Sequence, residues 1–66
     1  MKEYTVTPDK DASNWYVKIE DVAPTDLYSK KDDAIEQGKK MAEENKPSRL
    51  MILDENKDVV DELRYS

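Results

Sequence analysis

The sequence predicts an α+β domain: a small antiparallel sheet of four strands with one helix packed on one face, while a short fifth strand at Leu27-Tyr28 is left open. Three patterns favour this class. The run Trp15 to Ile19 alternates apolar and polar residues as a half-buried strand does. A helical apolar period follows it, and two more aliphatic or aromatic runs close the chain. The expected order of elements is therefore β-β-(β)-α-β-β.

The first two strands are predicted to form a hairpin. Residues 3–7 are rich in β-branched and aromatic side chains, and Pro8 begins a polar turn that ends at Asn14. In the second strand Trp15, Val17 and Ile19 share one face, and Tyr16 lies on the other. The strand should therefore bury Trp15 in the core.

A helix is predicted from Ser29, with Asp32 as a shortened capping-box partner. It should end near residue 44 or 45, because Asn45 can adopt a left-handed cap and Pro47 disfavours a helical Lys46. A narrow apolar face gathers the following residues: Ala34, Ile35, Gly38, Met41, Ala42 and Asn45. Gly38 costs stability in a helix, so the prediction is that it makes room for a bulky ring, with Trp15 as the candidate. The alternative is that it is merely tolerated.

Residues 49–53 and 59–65 are predicted to form a second hairpin around a polar loop. In that loop Asp54, Asn56 and Asp58 have the spacing that opens a calcium-binding EF-hand loop. The sixth position, however, is Val59 where that loop needs Gly, and the twelfth is Tyr65 where it needs Glu. We therefore expect an ordinary turn and no metal site.

The sheet should leave one face uncovered, because one helix covers only one side. If Leu50 and Ile52 point toward the helix, Met51 and Leu53 point away, on the same side as Tyr16. The candidate protein-binding face is thus Tyr16, Met51 and Leu53. The alternative is that these side chains pack under a loop or are singly exposed.

Composition limits the possible functions. The chain has 66 residues, 16 acids and 11 bases, a net charge of −5, and neither Cys nor His. The expectations are a single domain over residues 1–66, no catalytic residues, no cofactor and no disulfide. Without a basic stripe, direct nucleic-acid binding is disfavoured. No apolar run spans a membrane, and a cytoplasmic location is expected.

The order of motifs resembles a known family. The motifs are Tyr4-Thr5-Val6-Thr7-Pro8, Asn14-Trp15-Tyr16-Val17, Ser29 to Ile35, Leu50 to Leu53 and Arg64-Tyr65-Ser66. Together they are similar to the short bacterial and phage proteins known as domain of unknown function 2188. That family's pattern has Gly before the tryptophan, Thr and Glu at the helix start, and an Asp-Gly turn. Here Asn14, Ser29, Asp32 and Asn56-Lys57 stand at those places, which leaves the type of hairpin turn open. The resemblance implies one helix on an antiparallel sheet and no catalytic or ligand residues.

Three classes of function remain open from the sequence, of which the third is a small metal-responsive or catalytic protein. The first is a non-enzymatic module that binds another protein or forms a weak homodimer. The second is an acidic inhibitor, derived from a phage or its host, that occupies a nucleic-acid site on a target protein.

Overall fold

The computed structural model describes residues 2–11, 13–19 and 27–66. Within them lie four strands and one helix, bounded as follows: β1 Lys2–Pro8, β2 Trp15–Ile19, α1 Lys31–Glu44, β3 Ser48–Leu53 and β4 Val59–Tyr65. The predicted α+β class and both predicted hairpins are confirmed. The fifth strand is not formed in the described residues, because Tyr28 makes only an isolated bridge with Trp15, with both N···O distances 2.7 Å.

The sheet is mixed, so the expectation of an antiparallel sheet was wrong. The strand order is β2-β1-β3-β4, and the central strands β1 and β3 are parallel, with Tyr4 opposite Leu50 and Val6 opposite Ile52. The two outer pairs are antiparallel. Helix α1 explains the direction of β3. The helix begins beside Trp15, near the end of β1, and returns the chain to the start of β1. Strand β3 therefore runs in the same direction as β1.

Helix α1 ends at Glu44, as predicted, but the caps at both of its ends differ from the prediction. The N-cap is Lys30 instead of Ser29, and no side chain caps the helix there. Negative charge in the first turn is supplied by Asp32 and Asp33, which complement the helix dipole. At the other end Asn45 is not left-handed, with φ −121°. Its side-chain amide instead donates a 2.8 Å hydrogen bond to the carbonyl of Met41.

The helix packs across β1, β2 and β3, and its buried residues are Ala34, Gly38 and Ala42, as its apolar period predicts. Gly38 does not make room for Trp15. A Cβ on Gly38 would lie 3.0 Å from Leu50 Cδ1 and 3.2 Å from Val6 Cγ2. The middle of the helix therefore rests on the two central strands. Trp15 is 7% exposed and belongs to the same core, on the outer strand β2.

Candidate functional site

The three residues of the candidate binding face lie on the side of the sheet away from α1. Tyr16 alternates with the buried Trp15 and Val17, and Met51 and Leu53 alternate with the buried Leu50 and Ile52. All three are half-buried. We call this side of the sheet the open face, because no described element packs on it. Whether it binds a partner stays a prediction.

One end of the open face is apolar. Thr7 lies opposite Tyr16 in the β1–β2 pair, and Leu53 lies opposite Val59 in the β3–β4 pair. Thr7 is 6% exposed. Val59 and the next residue, Val60, are each 57% exposed beside a register shift in the β3–β4 pair. Exposed aliphatic carbon of this kind favours contact with another apolar surface.

The other end of the open face carries a network of four alternating charges: Glu3, Arg49, Glu62 and Arg64. Arg49 forms ion pairs with Glu3 and, at 3.9 Å, with Glu62. Arg64 Nε donates a 2.9 Å hydrogen bond to Glu62. The two arginines lie directly opposite each other in the β3–β4 pair, an arrangement that repels unless an acid lies between them. Glu62 supplies that acid.

The pKa of Glu62 reports this arrangement. The hydrogen bond from Arg64 lowers the pKa below its ordinary value of 4.5, and the charges of Arg64 and Arg49 act in the same direction. Partial desolvation opposes the shift. The cluster is therefore an ion-pair network with no net charge, in a chain whose total charge is −5. Sequence reasoning missed it, although Arg49 shares its parity with Met51, and Glu62 shares its parity with Arg64.

A separate shallow cleft of about 290 Å³ lies between the start of α1 and the loop after β3. It is lined by Trp15, Lys31, Asp54, Glu55 and Asn56. Lys31 Nζ lies 5.1 Å from the centre of the Trp15 ring, a cation–π contact that occupies the aromatic side of the cleft.

In the loop that lines this cleft, the carboxylate of Asp54 accepts hydrogen bonds from the loop's own backbone. Asp54 Oδ1 accepts the backbone N–H groups of Asn56, at 2.8 Å, and Asp58, at 3.0 Å. The spacing that resembles an EF-hand therefore builds a turn held by one carboxylate. No group of three potential metal ligands of the His, Cys, Asp or Glu type occurs within residues 2–11, 13–19 and 27–66.

In the same described part of the chain, no helix has the length and apolar character needed to cross a membrane.

Comparisons with known proteins agree with the motif order. The chain is 50% identical over 62 residues to "Uncharacterized protein YycD" of Bacillus subtilis (strain 168), and the match covers 94% of each chain. No solved structure matches significantly. The family described as "Uncharacterized protein conserved in bacteria (DUF2188)" matches residues 4–65. The resemblance read from the motifs is thus confirmed, and the chain belongs to the DUF2188 family.

Proposed function

We propose that the chain is a cytoplasmic, non-enzymatic module that binds another protein through the open face. The observation that carries the proposal is the division of this face. Exposed aliphatic side chains lie at one end of the face, and a charge-balanced ion-pair network lies at the other end. Protein interfaces commonly combine apolar contact surface with adjacent polar and charged side chains.

The charges of the open face favour a protein over a nucleic acid. A phosphate backbone is bound by basic side chains that displace its counterions. Here Arg49 pairs with Glu3 and Glu62, and Arg64 pairs with Glu62, so both guanidinium groups already have acidic partners. The chain as a whole carries a charge of −5, which repels polyanions.

A non-enzymatic role is supported by the chemistry of the side chains. The chain has no His and no Cys, so it lacks the usual base near neutral pH and the usual thiolate nucleophile. Asp54, which borders the cleft, is engaged by backbone amides, and Lys31 lies over the ring of Trp15. These groups perform structural tasks.

The proposal is tested with a double variant, Met51→Lys with Leu53→Thr, which changes the open face without touching the core. A matched control variant, Glu43→Gln, changes an exposed position on the outer side of α1 and raises the net charge by one, as Met51→Lys does. Each tagged protein is incubated with lysate of its native cell, and captured proteins are identified by mass spectrometry. We expect a captured protein that the wild type and the helix variant share and the open-face variant loses.

Binding is then measured with that purified protein at low and moderate salt, about 0.05 and 0.5 M. Apolar docking predicts less than a threefold change in affinity. A steep loss with salt, together with displacement by nucleic acid, would favour the acidic inhibitor instead. Equal recovery by all three proteins would overturn the open face as the binding site.

A further inference from the structure

Strand β4 ends the sheet with an edge that no described strand covers. The opposite outer strand, β2, is partly covered, because Trp15 exchanges two backbone hydrogen bonds with Tyr28. β4 has seven residues, none of them fully buried. A long exposed edge is a template for pairing with another strand, and proteins usually protect such an edge.

Asp61 protects this edge. Its Oδ1 atom accepts the backbone N–H of Glu62 at 2.8 Å. That N–H therefore points away from β3, and because backbone groups alternate along a strand, the N–H and C=O of Arg64 point the same way. The outward hydrogen-bonding groups of β4 are thus those of residues 62 and 64.

These two residues carry opposite charges, which makes the edge complementary to itself. In antiparallel pairing about a two-fold axis at Leu63, Glu62 of one copy lies opposite Arg64 of the other, and the same pair recurs on the other side of the axis. Each of these residue pairs can exchange both backbone hydrogen bonds. Opposite charges at directly opposed positions favour the pairing.

We propose that a second copy of this chain pairs with β4 in this register, so that one continuous sheet runs through both copies. At the axis Leu63 contacts the Leu63 of the second copy, on the side of the sheet where Leu63 and Tyr65 pack beside the core. On the open face the network of Arg49, Glu62 and Arg64 extends into the second copy. The pairing is symmetric, as homodimer interfaces usually are.

The dimer is weak, for two reasons. Pairing over residues 61–65 buries less than the roughly 1,200 Å² at which specific, stable interfaces begin. The hydrogen bond from the Glu62 N–H to Asp61 must also break before a backbone carbonyl of the second copy can accept that N–H. Asp61 therefore sets the balance between monomer and dimer.

The first test removes this protection. Asp61→Ala and its matched control, Asp58→Ala, delete one negative charge each from the same exposed hairpin, and Asp58 does not cap the edge through its side chain. Sedimentation is measured up to about 1 mM, where a contact of this size is populated. We expect a wild-type dimer at the highest concentrations. In Asp61→Ala the dissociation constant should fall roughly tenfold, since one competing hydrogen bond per copy is lost. Asp58→Ala should change it less than twofold.

The second test reverses charges. Glu62→Arg alone and Arg64→Glu alone each place like charges opposite each other and should remain monomeric, whereas an equimolar mixture should form a heterodimer. Circular dichroism checks that each variant is folded, and Glu3 still neutralises Arg49 when Glu62 is changed. If a charge variant is unfolded, the pair Asp61→Ala and Asp58→Ala decides alone.

Either of two results would overturn the edge dimer: wild type and Asp61→Ala both monomeric at the highest concentration, or equal association of Asp61→Ala and Asp58→Ala. The single variant Leu53→Thr changes the open face but keeps Met51, which lies opposite Glu62, and should dimerise as the wild type does. Its result therefore separates this edge contact from the proposed protein-binding face.

Discussion

The two hairpins of this protein use the same loop chemistry but occupy different environments. In each, the first loop residue, Asp9 or Asp54, accepts the backbone N–H groups of the residues two and four positions later. The outer strands then differ. β2 buries Trp15 and Val17, whereas β4 buries none of its residues completely.

The difference comes from the position of α1, which packs across β1, β2 and β3. The first hairpin thereby becomes part of the core, and the second leaves its outer strand accessible. Similar local chemistry thus does not imply a similar role. The covered hairpin contributes burial, and the uncovered one presents a strand edge and most of the charged end of the open face.

The largest predicted effect separates the two outer strands. Trp15→Ala should lower the free energy of unfolding by about 3–5 kcal/mol, because a buried aromatic ring is lost and a cavity remains. Leu63→Ala on β4 should cost only about 1 kcal/mol, because Leu63 already exposes part of its surface. Urea unfolding at low protein concentration measures both.

Trp15→Phe is the control, since it keeps most of the buried aromatic carbon and should lie between wild type and Trp15→Ala. Equal losses for Trp15→Ala and Leu63→Ala would contradict the division into a covered and an uncovered hairpin.

A smaller effect concerns the loop of the second hairpin. Lys57 has φ 66°, a left-handed conformation that costs a residue with a Cβ about 1 kcal/mol or more. Lys57 N–H bonds to the Asp54 carbonyl at 3.0 Å, and Asp54 N–H to the Asp58 carbonyl at 2.9 Å. A left-handed residue closing such a loop is usually Gly. The sequence did not predict the type of this hairpin turn. The structure shows a tight turn closed by Lys57 in a left-handed conformation.

Lys57→Gly should therefore raise the free energy of unfolding by about 0.5–1 kcal/mol, after the greater freedom of glycine in the unfolded chain is deducted. Lys57→Ala keeps the Cβ and should change stability little. Thermal unfolding of the three proteins compares them, and a loss of stability in Lys57→Gly would show that the lysine side chain itself supports the loop.

The smallest predicted effect concerns Asp9 in the loop of the first hairpin, and it is measured as a change in the pH dependence of stability. Partial desolvation raises the pKa of Asp9, but hydrogen bonds from Asn14, Ser13 and Asp11 outweigh it and hold the pKa below 3.8. A lowered pKa means that the charged form is favoured by folding. The contribution of Asp9 is then complete above its unfolded pKa and disappears as the pH falls through its folded pKa.

Asp9→Asn should make stability depend less on pH below about pH 4 than in the wild type. Asp11→Asn, which removes the same charge from the same loop without that set of hydrogen bonds, is the control. Melting temperatures from pH 2 to 6, together with NMR titration of the Asp9 carboxyl group, measure the effect. A titration midpoint above 3.8 would refute the role assigned to these hydrogen bonds.

Much of the fold and part of the candidate site were predictable from local patterns. The alternation in residues 15–19 and 49–53 correctly assigned the buried side chains of β2 and β3. Tyr16, Met51 and Leu53 therefore came out on one face, as predicted. Of the six residues that the helical period placed on the apolar face of α1, Ala34, Gly38 and Ala42 are buried. These features depend on neighbours a few residues apart, which is the range that alternation and helical period report.

The sequence by itself thus determined the four strands and the helix, apart from their end residues, and the apolar side of β2, β3 and α1. Only the tertiary structure decided that β3 lies parallel to β1 and that Gly38 faces Leu50 and Val6. It also decided that Glu3 forms an ion pair with Arg49. Each of these depends on where α1 crosses the sheet and returns the chain. That path is set by packing of the whole core, in which partners lie tens of residues apart, and no local pattern of hydrophobicity or charge records it.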